Sequence, residues 1–292
     1  MSCEFLVRMQ YGRLIHVEFY ACLIMWALLT GCSTPSQRFE AKATGFGFSK
    51  EVLQGEGFRH VVYFKSGKVA ETAALHVYLD GDGTPWVRKG VAASDPSPRN
   101  PLMLDLMLLD SAPAVYLGRP CYSGLNSDRG CTSEVWTDRR YSETVVRSMS
   151  IVLEHLAVDY DKIILIGHSG GGTLAMLLAE QQTKLDTIVT IAANLDTARW
   201  VALHKQRPLT GSLNPADRPP LPAHIRQMHF AGREDDNVPP AIILDAIARQ
   251  PGTMFRVIPG QDHSCCWREV WPEMLGQISS NSSSQSTGNT IH

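Results

Sequence analysis

A serine between glycines, an aspartate in an acidic turn and a histidine on a late loop are the residues of this chain whose types and order could do chemistry. Ser169 stands in Gly167-His168-Ser169-Gly170-Gly171, after the β-branched run Ile163-Ile164-Leu165-Ile166 and ahead of an Ala/Leu-rich segment. A strand, a glycine-flanked serine and a helix together describe a nucleophile elbow. On so sharp a turn the serine backbone is strained, and side chains at Gly167 and Gly171 would collide with the neighbouring strand and helix. The turn also puts Ser169 at a helix N-terminus, where free N–H groups and the helix dipole favour negative charge.

A serine hydroxyl attacks poorly at neutral pH unless a base takes its proton and a third group orients that base. Downstream, the strand-like Phe230-Ala231-Gly232 runs into Arg233-Glu234-Asp235-Asp236-Asn237-Val238-Pro239. Asp235 is the favoured acid and Asp236 the alternative, at the carboxyl end of a strand where ligand-handling side chains of open parallel sheets collect. Beyond it only His263 and the terminal His292 remain, and His263 follows the turn Pro259-Gly260-Gln261-Asp262. His263 is therefore read as the base. His168 is read as a packing or pocket-lining residue, because adjacent side chains on a tight elbow point apart.

A developing oxyanion needs donors. Gly170 N–H supplies one; the second is sought in Asp80-Gly81-Asp82-Gly83, after the strand-like Leu75 to Leu79, with Asp82 or Gly83 as donor. Removing one such donor costs about 3–4 kcal/mol of transition-state stabilisation. A plain β-turn or a cation loop from Asp80 and Asp82 are the alternatives, but the further ligands of a calcium loop are missing. No cysteine spacing suits zinc, and this chemistry requires no metal and no organic cofactor.

The elements that must position these residues alternate along the chain. Strands are expected at His60–Lys65, Leu75–Leu79, Pro113–Leu117, Lys162–Ile166, Thr187–Ala192, Gln227–Ala231 and Thr253–Ile258. Helices are expected at Ser142–Ala157, Gly172–Gln182, Pro240–Arg249 and Trp267–Ile278. That alternation indicates an α/β fold, a mostly parallel sheet covered on both faces. The turn Lys65-Ser66-Gly67-Lys68 suggests an antiparallel start. The proline-rich stretch Leu203–Pro222 can be neither a long helix nor a central strand and reads as a minimal lid. Trp86 and Trp200 are read as core residues, with an acyl pocket as the alternative.

Ser169, Asp235 and His263 in that order, with Asp-Gly-Asp-Gly after an early strand, resemble the α/β-hydrolase superfamily from about Phe46 to Ile278. The resemblance implies an eight-stranded, mostly parallel sheet with helices on both faces and no large cap domain. It implies serine-dependent acyl transfer with Ser169, Asp235, His263 and the Gly170 amide in the working roles. The chain departs from the lipase-type His-Gly-Gly-Gly loop. A small-molecule acyl substrate, first of all a carboxylic ester, is expected. A peptidase, a thioesterase or an acyltransferase uses the same chemistry, and a non-catalytic binding scaffold uses the same fold.

At the N-terminus Arg8 and Arg13 precede the apolar stretch Phe19 to Leu29, a pattern of an export signal; the signal is long and contains Glu18, which makes Met9 a second candidate start. Leu29-Thr30-Gly31-Cys32 resembles a bacterial lipobox. That implies a signal peptide at 1–31, a lipid-anchored Cys32, a polar linker at 32–45, a domain at 46–278 and, with Ser33 after the cysteine, an outer-membrane address if the cell is Gram-negative. The Ser/Asn/Thr-rich end, 279–292, lacks apolar residues to bury and is expected to be disordered. Export permits a Cys121–Cys131 disulfide, which would contribute about 2–3 kcal/mol. Cys265 and Cys266 could be a vicinal disulfide or two thiols. The formal net charge of -2 over 292 residues offers no basic excess for nucleic acid, and no apolar run is long enough to span a membrane. Oligomeric state is not legible.

Overall fold

The computed structural model describes residues 33–65 and 74–283. The expected signal peptide, Cys32 and the tail beyond 283 lie outside them. In chain order the elements are α1 (Pro35–Gly45), β1 (Ser49–Gln54), β2 (Arg59–Phe64), β3 (Leu75–Leu79), the hairpin β4 (Trp86–Arg88) and β5 (Val91–Ala92), α2 (Leu102–Leu109) and β6 (Ala114–Leu117). A single turn, α3 (Ser133–Trp136), leads to α4 (Glu143–Leu156), β7 (Ile163–His168), α5 (Gly170–Ala179), β8 (Leu185–Ile191) and α6 (Thr197–Leu203). The chain ends in β9 (Arg226–Gly232), α7 (Pro240–Ile247), β10 (Thr253–Ile258) and α8 (Trp267–Ser283).

Eight strands form one sheet in the order β1-β2-β6-β3-β7-β8-β9-β10. The six from β6 to β10 run parallel, while β2 is antiparallel to both β1 and β6. The antiparallel start is therefore present with a different pairing: β2 does not pair with β3. Strand β3 is buried along its whole length, and so is β7, as strands covered on both faces must be. Alternate side chains feed two cores. Val77, Leu79 and Leu165 meet Met149 and Leu153 of α4, Leu174 and Leu178 of α5 and Ile243 of α7. Tyr78, Ile164 and Ile166 meet Phe39 of α1, Met103 and Met107 of α2, and Trp267 and Trp271 of α8.

Two expectations are corrected and one strand is added. The linker read at 32–45 is a helix from Pro35, because Phe39 and Ala43, one turn apart, bury completely in the second core. The polar edge strand β1, mostly exposed, carries too few apolar residues to announce itself. The final helix runs to Ser283, past the expected domain end at Ile278, and Ser279 Oγ donates back to the Leu275 carbonyl. As expected, Leu203–Pro222 forms no long helix. It is tied down by Leu213 N–H to the Tyr141 carbonyl, 3.0 Å, and by Gly211 N–H to the Asp138 carboxylate, 3.1 Å.

Candidate active site

The carboxyl ends of β3, β6, β7, β9 and β10 point to one edge of the sheet, and the chain order reverses about β3, flanked by β6 and β7. Such a switch point opens a crevice. From β7 the chain turns through Ser169 with φ 51° and ψ -121°, the left-handed side of backbone space that costs a non-glycine residue energy. The strain is held by hydrogen bonds on both sides. Ser169 N–H donates to the Ile191 carbonyl at 3.0 Å, and its own carbonyl accepts from Gly172 at 3.0 Å and Asn194 at 3.3 Å. A Cβ on Gly167 would lie 2.4 Å from the Gly171 carbonyl oxygen, and one on Gly171 would lie 2.1 Å from the Leu79 carbonyl oxygen. Both glycines are steric requirements of the elbow.

The structure brings Ser169, His263 and Asp235 together. His263 Nδ1 lies 2.9 Å from Asp235 Oδ2, and its Nε2 lies 3.0 Å from Ser169 Oγ. A carboxylate only accepts, so Nδ1–H donates to Asp235, and neutral Nε2 is left to accept from the serine hydroxyl. The Asp235 side chain is 0% exposed and that of His263 is 19% exposed. Asp235 Oδ1 accepts from the N–H groups of Asn237 at 2.9 Å and Val238 at 2.7 Å, which fixes the carboxylate in the turn. Glu234 and Asp236 are exposed and take no part.

His168 has a role that the sequence reading did not reach. Its Nε2–H donates to the carbonyl of His263 at 2.7 Å, bracing the loop that presents the base. Burial, with the neighbouring His263, lowers its pKa to about 4, so the ring stays neutral. Beside it, Asp80 is buried with its Oδ1 4.0 Å from His168 Nδ1. Burial raises the Asp80 carboxyl to about 7 against the opposing pull of the Gly81 N–H and Arg119.

Gly170 opens α5, so its N–H has no intrahelical acceptor. The N–H groups of Asp82 and Gly83 meet no acceptor among the described residues either. What holds this turn in place comes from elsewhere in the chain. The Asp82 carboxylate receives Arg140 at 2.7 Å, Arg119 at 2.8 Å and the Tyr141 hydroxyl at 2.6 Å, while Tyr122 hydroxyl donates to the Asp82 carbonyl at 2.9 Å. Burial pushes the Asp82 carboxyl up, but Arg140, Arg119 and Tyr141 outweigh it and hold it near 2. A Cβ at Gly170 would lie 2.1 Å from Asp82 Oδ1 and 2.8 Å from Arg119 Nη2, so the clamp packs directly on the elbow helix. The Cys121–Cys131 disulfide is present and closes the loop that carries Tyr122. Cys265 and Cys266 are joined as well, in the loop between His263 and α8.

Trp86 is 40% exposed and lies outside the cores, whereas Trp200 is half-buried and packs against the first core. Both line a cleft of about 870 Å³, and Trp200 Nε1–H donates to Asn237 Oδ1 at 3.3 Å.

No model of a known protein family matches the sequence, and no curated protein does. Solved structures do. A membrane phospholipase A, described as a bacterial virulence factor, superposes with a TM-score of 0.59 at 12% identity, over 96% of this chain and 99% of that one. Est1E from Butyrivibrio proteoclasticus gives 0.54 at 13% identity, over 80% of this chain and 99% of its own. An α/β serine hydrolase homologue from Coxiella burnetii gives 0.51 at 17%, over 80% and 96%. The fold is the α/β-hydrolase fold.

Proposed function

We propose that the protein is a serine hydrolase that cleaves carboxylic esters through an acyl-enzyme. The observation that carries this reading is the His263 ring, which bridges the Ser169 hydroxyl and the buried Asp235 carboxylate at 3.0 and 2.9 Å. Ser169 Oγ attacks the acyl carbon and its proton passes to His263 Nε2. Asp235 fixes the ring and stabilises the imidazolium. The oxyanion takes the Gly170 N–H and one N–H of the Asp82–Gly83 turn. His263 then gives its proton to the departing alkoxide as the carbon–oxygen bond breaks. Water, deprotonated by His263, attacks the acyl-serine; collapse releases the acid and returns the proton to Ser169.

Support for an ester comes from the membrane phospholipase A on which this chain superposes. Support for an envelope address comes from the N-terminal pattern ending in Cys32, which would carry the lipid. A panel of acyl-chain lengths run beside peptide substrates tests the reaction. Ester turnover should be abolished in Ser169→Ala and reduced by at least about a thousandfold in His263→Ala. Full turnover in either variant contradicts the assignment. Cys32→Ser should move the protein from the membrane to the soluble fraction; unchanged membrane association contradicts the anchor.

A further inference from the structure

The cleft of about 870 Å³ is bounded by the β4–β5 hairpin, the turn before α4 and the chain after α6. Two of its lining side chains link it to the site. Arg140 lines it while gripping Asp82, and Trp200 lines it while bonding Asn237, whose own N–H donates to Asp235.

Its electrostatics are one-sided. Arg88 and Lys89 reach it from the hairpin, and Lys205 and Arg207 from the chain after α6. None of these four forms an ion pair among the described residues. Arg140, the fifth cation, shares the single negative charge of Asp82 with Arg119. The one carboxylate in the lining, Asp138, accepts from Gly211 N–H at 3.1 Å and offsets one of these charges, leaving the positive sign in excess. Four cations around one concavity, without an ion-pair partner among the described residues, leave a positive potential there. The hairpin also leaves Trp86, which lines the cleft, 40% exposed. Aromatic surface ringed by uncompensated positive charge is the complement of an anion with an apolar body.

We propose that this cleft is the subsite for an anionic group, phosphate or carboxylate, on an ester with an apolar body. The anion sits among Arg88, Lys89, Lys205 and Arg207, and the apolar part lies against Trp86 and Trp200. For turnover this rests on Ser169 as nucleophile; for binding it does not.

Binding is therefore tested first, on Ser169→Ala, by tryptophan fluorescence with octyl phosphate against octyl glucoside. Octyl phosphate should bind about tenfold tighter at low salt, each exposed ion pair contributing a few tenths of a kcal/mol. The preference should vanish in Lys205→Glu/Arg207→Glu, shrink in Arg88→Glu/Lys89→Glu, and weaken at about 0.5 M NaCl. In the active protein, kcat/KM should favour mono-4-nitrophenyl suberate over 4-nitrophenyl octanoate by a similar factor. Cosedimentation with phosphatidylglycerol but not phosphatidylcholine vesicles assigns the anion to a lipid headgroup. Binding of octyl phosphate without cosedimentation assigns it to a soluble ester. Equal affinity for the two octyl probes, or a phosphate preference that survives both charge reversals, overturns the proposal. If the binding preference holds while neither ester is hydrolysed, the nucleophile reading fails and the anion subsite stands.

Discussion

The elbow at Ser169 and the turn at Asp82 touch at Gly170, yet different forces hold them. The elbow is a matter of backbone space. Gly167 and Gly171 let a strand, a helix and the neighbouring strand β3 approach to distances that any side chain would block, and main-chain hydrogen bonds keep Ser169 at positive φ. The Asp82 turn is a matter of charge. A buried carboxylate is held by Arg119, Arg140 and Tyr141 from two segments further along the chain, and a disulfide closes the loop that supplies Tyr122. A steric device is written in adjacent residues and tolerates nothing; an ionic one is assembled from distant segments and depends on every partner being present.

The most damaging way to probe that contrast is Gly171→Val. Its Cβ would lie 2.1 Å from the Leu79 carbonyl oxygen, a backbone atom that cannot move aside. Destabilisation above about 4 kcal/mol is expected, seen as loss of soluble protein or of cooperative urea unfolding. Asp82→Asn should come next. The substitution keeps the shape but leaves Arg119 buried without its counter-charge, at a cost of about 3 kcal/mol or more in urea unfolding and a fall in kcat as the turn loosens. Near-normal stability would mean that the charge is not what holds the turn. Cys121→Ser, which loosens the same turn one step removed, should cost about 2–3 kcal/mol under oxidising conditions.

The two regions should also part on acidification. Burial lowers His168 to about 4, and His60 and His229 likewise, so each contributes stability that is present above 6.5 and is lost as pH falls towards 4. Asp80, raised to about 7 by burial, acts in the opposite sense: its contribution is present below 3.8 and lost as pH rises through 7. Between pH 6.5 and 5.5 each group changes stability by about 1 kcal/mol, so three histidines against one aspartate give a net fall of about 2 kcal/mol. The Asp82 clamp, held near 2, keeps its charge throughout that window. Urea midpoints at pH 6.5 and 5.5 should drop in the wild type and drop less in His60→Gln.

The same contrast explains what could be read from the chain. The elbow, with its strand before and helix after, lay in ten consecutive residues, and Asp235 and His263 followed from their order behind it. The Asp82 clamp had no such trace, because Arg119, Arg140 and Tyr141 meet it only once β6 lies beside β3. An arginine directly after an apolar strand, Arg119-Pro120, and the arginine-tyrosine pair ahead of α4 were the signals available. Helix α1 was hidden by its polar exposed face, and α2, Leu-Met-Leu-Asp-Leu-Met-Leu-Leu, by having almost no polar face to set a period. The cleft's cations come from two segments more than a hundred residues apart, and only the fold makes them neighbours.

The most direct test of the central claim is intact-protein and peptide mass spectrometry after exposure to a fluorophosphonate. One adduct per chain, on the peptide bearing Ser169, is expected for the wild type. It should be absent from Ser169→Ala and strongly slowed in His263→Ala. Folded wild-type protein that takes no label, or a label that persists undiminished in Ser169→Ala, would contradict the account.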